Sequence, residues 1–342
     1  MPGDTKPTRS LWRRWGWLVR WGGTVLGIAY VVRLVDLARV EDALSRVSLG
    51  AVAASIAIIA ASVVIGAVRW RAALRAYGAN KRPSLPSAIR MYYVTVFYNT
   101  YLPGAVGGDI VRGVMTSDSF DEHGATGALA VVFVERALGL FAVCALLLTG
   151  LGLLGGSPGG DGSLWWWSVL GGATSLVAVI ALPLGQRIAR FLPGPLARIA
   201  ARVPSVVRIS DFVIAIALSL ASQLATMISG WILLRDLHPG VTFAQALLIV
   251  PAAAAASFLP ITVGGAGARE AMFVVLCGAL LGMSSADALA VSLVVWLTSL
   301  VVGAAGGILL LAGNRVAAAA RPPAFSDSVS EDGRPCNKVG SR

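Results

Sequence analysis

Charge and histidine are what this 342-residue chain has least of: charged residues make up 13%, and there are two histidines. His123 and His238 stand far apart in sequence, which gives histidine-based catalysis little support. Cysteine is scarce as well. Cys144 and Cys277 lie in apolar runs and Cys336 lies in a polar tail, a distribution that points to neither a disulfide nor a metal site. No cofactor is implied. What fills the chain instead is hydrophobic residue, at 56%, in runs that approach or exceed the roughly 20 residues a spanning helix needs. The formal net charge of +11 would suit nucleic acid in a soluble protein, but in a membrane protein the positions of the charges matter more than their sum. A nucleic-acid partner is therefore not expected, and the fold class is an all-α polytopic integral membrane protein.

Apolar runs fall near residues 17 to 37, 49 to 68, 87 to 102, 106 to 117, 125 to 154, 164 to 184, 209 to 234, 242 to 259, 267 to 282 and 288 to 312. The loops between them sort by charge. Basic residues crowd the N-terminus, segment 69 to 90 (Arg69, Arg71, Arg75, Lys81, Arg82, Arg90), segment 185 to 208 and the tail. Segments 155 to 164 and 283 to 287 have none, 235 to 241 has only Arg235, and 36 to 48 balances Arg39 and Arg46 with Asp36, Glu41 and Asp42. The positive-inside rule makes the first group cytoplasmic and the second external, with both termini inside and the chain in the cell (inner) membrane. Residues 1 to 16 read as a basic cytoplasmic N-terminus, 17 to 313 as the transmembrane domain, and 314 to 342 as a disordered cytoplasmic tail.

One pattern occurs twice, 157 residues apart: Tyr101-Leu102-Pro103-Gly104-Ala105-Val106-Gly107-Gly108-Asp109-Ile110-Val111-Arg112 and Phe258-Leu259-Pro260-Ile261-Thr262-Val263-Gly264-Gly265-Ala266-Gly267-Ala268-Arg269. Pro103 with Gly107 and Gly108, and Pro260 with Gly264 and Gly265, break a helix inside an apolar stretch, because proline removes a donor and glycine permits tight turns. By loop charge, residues 87 to 118 enter and leave from inside, and 242 to 282 enter and leave from outside. Full crossing of each hairpin, with its motif at the far surface, satisfies the same parity. Ala128-Leu129-Ala130-Val131 recurs as Ala288-Leu289-Ala290-Val291. Span, hairpin and span at 49 to 154 thus repeat at 209 to 312 in opposite orientation, an inverted-topology repeat with two re-entrant or broken-helix hairpins.

Charge within a membrane is costly and needs a reason. Asp109 and Arg112 follow the first break, Arg269 and Glu270 the second, and Glu135 with Arg136 lies inside the next span. These six are candidate head-group ligands; Asn99, Thr100, Thr262 and Gln223 are weaker additions that would satisfy backbone groups freed by the breaks. A helix restarting after a glycine pair offers N–H groups and a positive dipole end to an anion, and arginine suits phosphate. Blander roles compete: Arg112 as an interfacial positive charge, Asp109–Arg112 and Arg269–Glu270 as structural ion pairs, and the glycines, like Gly303 and Gly307, as close-packing sites. Adjacent Glu135 and Arg136 diverge on a helix and need partners elsewhere, with Arg112 and Asp109 available.

These motifs, Leu102-Pro103-Gly104 through Arg112, Glu135-Arg136, and Leu259-Pro260-Ile261-Thr262 through Arg269-Glu270, resemble the transmembrane domain of lysylphosphatidylglycerol synthases, the multiple peptide resistance factors. Flippase-like membrane proteins consisting of this domain alone share the resemblance, which covers roughly residues 20 to 315. It implies a lipid-translocating domain with a membrane phospholipid or polyprenyl-linked lipid as partner. Only a short tail follows the last span, so lysyl transfer from tRNA is not expected, and the chain reads as no enzyme. No nucleotide-binding motif is evident, so movement would be facilitated, ion-coupled or driven by a partner. A second reading is a membrane partner or regulator of a separately encoded lipid-modifying or glycosyl-transferring enzyme; a third, an intramembrane transferase using Asp109, Glu135 or Glu270 as base, has no nucleophile constellation behind it. Oligomeric state is not legible in the sequence.

The hairpin reading has a direct test in thiol labelling of Gly104→Cys and Ile261→Cys in oriented membranes. Labelling of position 104 from outside only would contradict entry of the first hairpin from the cytoplasm.

Overall fold

The structure, a computed structural model, describes residues 36–101, 107–120, 124–155, 205–257 and 265–319, with a few more between 22 and 33 and between 166 and 194. The break residues Pro103, Pro260 and Gly264, with Thr262, lie outside the described residues, as do most of the runs 17 to 37 and 164 to 184. Among the described residues every regular element is helical. In chain order they are α1 (Leu37–Arg46), α2 (Leu49–Ala76), α3 (Leu85–Tyr101), α4 (Gly107–Met115), a short 3-10 turn at Ser117–Ser119, α5 (Gly124–Leu153), α6 (Ile209–Leu237), α7 (Phe243–Ser257), α8 (Ala268–Leu281) and α9 (Ser285–Ala319). Four of them, α2, α5, α6 and α9, are long and apolar enough to cross a membrane.

Several boundaries differ from the sequence reading for identifiable reasons. The run ending at 68 continues as helix to Ala76, because Trp70, Ala72, Ala73 and Leu74 carry the apolar pattern past Arg69 and Arg71. Arg69, Arg71 and Arg75 lie in α2 and Arg90 lies in α3, so the reading of these four as loop charges is corrected. The loop at 36 to 48 holds the amphipathic helix α1, capped by Asp36, whose carboxylate accepts the Ala38 N–H at 3.1 Å. The last helix runs to Ala319, past the expected start of the tail at 314.

The two halves pack alike. Helix α2 lies antiparallel against its counterpart α6: Ser48 at the start of one is bonded to Asp236 near the end of the other, while Val207 and Arg208, just before α6, donate to the Ala76 carbonyl. Apart from the packing of α1 on α9, the main pairings have a partner under exchange of halves. α3 packs on α9 as α7 packs on α5, α4 on α5 as α8 on α9, and α5 on α6 as α9 on α2.

Face assignments follow from the ends. Ser48, Asp236 and the Arg46–Asp287 pair share one face; Ala76, Ser119 and Val207 share the other. Hairpin one, α3 and α4, starts and ends at the second face, and hairpin two, α7 and α8, at the first. Nine-residue α4 is only about 14 Å long, against about 30 Å of hydrocarbon. The end of α3 reaches the middle of α9, where the Tyr101 hydroxyl donates to the Leu300 carbonyl at 2.9 Å, so the described part of hairpin one ends partway along that span.

Hairpin one can lie this close to α9 because of a glycine run. A Cβ at Gly306 would fall 2.0 Å from the Tyr93 carbonyl oxygen, and one at Gly307 2.8 Å from the Phe97 ring. A Cβ at Gly303 would stand 3.3 Å from the Tyr101 ring and 3.4 Å from Thr100, a tight fit but looser than at the other two. Close packing, expected at Gly303 and Gly307, holds, and Gly306 is the tightest point of the three.

Gly306→Ala should therefore push α3 off α9 and lower the melting temperature in detergent by several degrees, equivalent to about 1–3 kcal/mol. Gly278→Ala, in α8 with open space around it, should be neutral or stabilising. Equal effects of the two would contradict this packing.

Candidate functional site

Helix α4 sets the geometry. Ile110, Val111, Val114 and Met115 are exposed on one side, while Gly108, Asp109, Arg112 and Gly113 are buried on the other. The spacing of Asp109 and Arg112 puts both on the inward face of a helix whose outward face is aliphatic. Gly108 allows this helix to lie on α3, since a Cβ there would stand 2.3 Å from the Thr95 carbonyl oxygen. Its N–H donates to Asn99 Oδ1 at 3.0 Å.

Arg112 is 2% exposed, so its reading as an interfacial positive charge is corrected. Its guanidinium lies 4.2 Å from the Trp70 ring centre and 4.5 Å from that of Tyr92, a cation held between two aromatic faces. The Nη2 group donates to Asp109 Oδ1 at 3.0 Å and to Glu135 Oε2 at 2.6 Å. The other oxygen of Glu135 accepts from Arg69 Nη2 and from the Tyr92 hydroxyl, both at 2.6 Å. Asp109 Oδ2 accepts from Asn99 Nδ2 at 3.1 Å and from Arg136 Nε at 2.9 Å, and Arg136 also pairs with it through Nη2. Glu135 and Arg136 thus find their partners on α4, as their divergence on α5 required.

Four helices are tied by this network: α2 through Arg69, α3 through Tyr92 and Asn99, α4 through Asp109 and Arg112, and α5 through Glu135 and Arg136. Among the described residues three arginines face two carboxylates, an excess of one positive charge. Beside it opens a cavity of about 300 Å³, lined on its charged side by Arg69, Asp109, Glu135 and Arg136, and opposite by Thr100, Ser222 and Gln223. The Arg136 side chain is 41% exposed, the most accessible cation of the group.

Arg269 and Glu270 are not brought into this cluster. They pair with each other, and Glu270 Oε2 accepts the Gly267 N–H at 2.7 Å, capping the start of α8. Gly265 and Gly267 there have φ of +80° and +87°, and a Cβ on Gly265 would meet Ser257 at 2.6 Å, so this turn requires glycine. Gly107 has open space around it. The expected use of both helix starts as anion sites meets a local answer instead: Asp109 occupies the first turn of α4, and Glu270 that of α8. Among the described residues, none from hairpin two lines the cavity.

Sequence reasoning missed Arg69, Trp70 and Tyr92. Helical continuation of the apolar pattern through Ala76 was the available signal for Arg69, since it puts a guanidinium inside a span. The repeat also sharpens the asymmetry. With Ala128–Val131 aligned on Ala288–Val291, Glu135 and Arg136 correspond to Val295 and Trp296, and Asp109 to Ala266. Only the first half carries the charged network.

A family model described as the lysylphosphatidylglycerol synthase TM region matches residues 17–307. The chain belongs to this family. No curated protein matches it. Membership accords with the multi-pass helical membrane architecture and with a lipid-related role, and the match spans both hairpins and the charged network of this TM region.

Arg112→Ala would leave Glu135 and Asp109 short of a buried partner, at a cost of about 3–5 kcal/mol. A large fall in melting temperature is expected, against a small one for the half-exposed Arg136→Ala. Equal tolerance of both would show that the buried pairs do not hold the helices.

Proposed function

We propose that this protein carries an anionic or phosphate-linked polar lipid between membrane leaflets, its head group seated in the cavity beside hairpin one and its acyl chains left in the bilayer. The observation that carries the reading is the charge excess of the Arg69–Asp109–Arg112–Glu135–Arg136 network around a polar cavity within the apolar part of the fold. Charge held within the apolar part of a membrane protein is costly, so three arginines gathered there call for a use beyond packing. A phosphate supplies the missing negative charge and takes bidentate hydrogen bonds from a guanidinium.

In this reading Arg136 is the first contact, because it is the accessible cation and is already held in place by Asp109. Arg69 and Arg112 supply field from behind. The cavity opens beside hairpin one, whose described part ends partway along α9, and leaves a polar step partway through the membrane. The Arg269–Glu270 pair anchors the start of α8 in the second half. The protein acts as a carrier and not as an enzyme, sits in the cell membrane, and has hairpin one on the cytoplasmic side, where the basic loops lie.

Leaflet transfer of an acyl-labelled anionic phospholipid in reconstituted vesicles tests this. Arg136→Ala should slow transfer by about tenfold, the worth of a charge-assisted hydrogen bond, while the protein stays monodisperse. An unchanged rate would remove head-group recognition from this site.

A further inference from the structure

The cavity has two chemically different walls, and the second has no role in the reading above. On the α6 side stand Ser222 and Gln223, with Thr100 of α3 nearby. Gln223 lies at the centre of a spanning helix, Ile209–Leu237, where a primary amide is expensive without a partner. Among the described residues its side chain makes no hydrogen bond, and neither do those of Ser222 and Thr100, whereas Asn99, Asp109, Glu135 and Arg136 elsewhere on the lining are all bonded. Gly139 on α5 also lines the cavity, and a Cβ there would stand 3.8 Å from Gln223 Nε2, an ordinary contact that places the amide at the α5–α6 edge of the cavity.

The charged wall adds an exclusion. All four carboxylate oxygens are already occupied: Glu135 Oε1 by Arg69 and Tyr92, Glu135 Oε2 by Arg112, Asp109 Oδ1 by Arg112, and Asp109 Oδ2 by Asn99 and Arg136. A cationic amine entering the cavity would meet the guanidinium groups of Arg69 and Arg136, with Arg112 bonded behind the carboxylates, and no uncommitted carboxylate.

Resting on the reading of the cavity as a head-group site, we infer that its ligand is a phosphate esterified to an uncharged polyol, such as glycerol, inositol or a sugar, with Gln223 and Ser222 as the residues that read the hydroxyls. The phosphate sits at Arg136, and the hydroxyls give and take hydrogen bonds with the amide and hydroxyl of α6. Gln223 is suited to this because a carboxamide both donates and accepts, as a sugar hydroxyl does. A head group that carries an added amine is disfavoured by the arginines.

Three acyl-labelled probes separate the contributions in reconstituted vesicles: phosphatidylglycerol, phosphatidic acid, which lacks the polyol, and lysyl-phosphatidylglycerol, which adds cationic amines. The parent chain should move phosphatidylglycerol faster than lysyl-phosphatidylglycerol. Gln223→Met, close in volume and apolar, should slow phosphatidylglycerol roughly five- to tenfold, the worth of a neutral hydrogen bond or two, and change phosphatidic acid by less than about twofold. Ser222→Ala should act in the same direction more weakly and serves as the milder variant if Gln223→Met lowers the melting temperature. Equal slowing of both lipids by these variants, no slowing of either, or lysyl-phosphatidylglycerol moving as fast as phosphatidylglycerol would overturn the inference while leaving the head-group site standing. Arg136→Ala tells the two apart, because it should slow phosphatidic acid as well; if it does not, the head-group site itself fails.

Discussion

A guanidinium cannot be left alone in hydrocarbon, and that constraint organises the first half of this molecule. Arg112 is sandwiched between Trp70 and Tyr92 and bonded to two carboxylates from different helices, so α2, α3, α4 and α5 cannot separate without exposing charge. Nine-residue α4, too short to hold its place through burial of its own surface, is fixed by Asp109 and Arg112 on its inner face. The packing of hairpin one, the cavity beside it and the position of Arg136 all follow from that clamp.

The repeat supplies the frame and the charges supply the difference. Equivalent helices of the two halves pack equivalently, with α2 on α6 at the centre and α3 on α9 answered by α7 on α5. Duplication gives each half a broken hairpin from an opposite face. Only one half carries Asp109, Glu135 and Arg136, where the other has Ala266, Val295 and Trp296. The second hairpin keeps an arginine, but Glu270 holds it locally and caps its helix. Halves that pack alike therefore differ in charge, and the cavity beside the charged network lies toward the first half.

Much of this was legible in the residues. Apolar run lengths located the four spans, the duplicated proline and glycine pattern located the hairpins, and the side-by-side placement of Glu135 and Arg136 required partners such as Arg112 and Asp109. What escaped has physical causes. Arg69 resembled a loop charge because positive residues do mark cytoplasmic loops, and only its burial against Glu135 reveals otherwise. Trp70 and Tyr92 carry no signal distinguishing a cation's aromatic walls from ordinary packing. The helix-start model for anion binding failed to count side chains in the first turns: Asp109 and Glu270 already supply the negative charge there. Gly306 was unremarkable until its distance to Tyr93 was known, since sequence does not tell which glycine of a pair faces a backbone.

The central claim is that a polar cavity bordered by an arginine-rich network holds the head group of an anionic lipid. Native mass spectrometry of the protein released from membranes in a mild detergent addresses it directly. The account predicts one retained phosphate-bearing lipid per chain, enriched in anionic species over their share of the surrounding membrane. Retention of lipids in simple proportion to the bulk membrane, or of none at all by a folded and monodisperse protein, would contradict it.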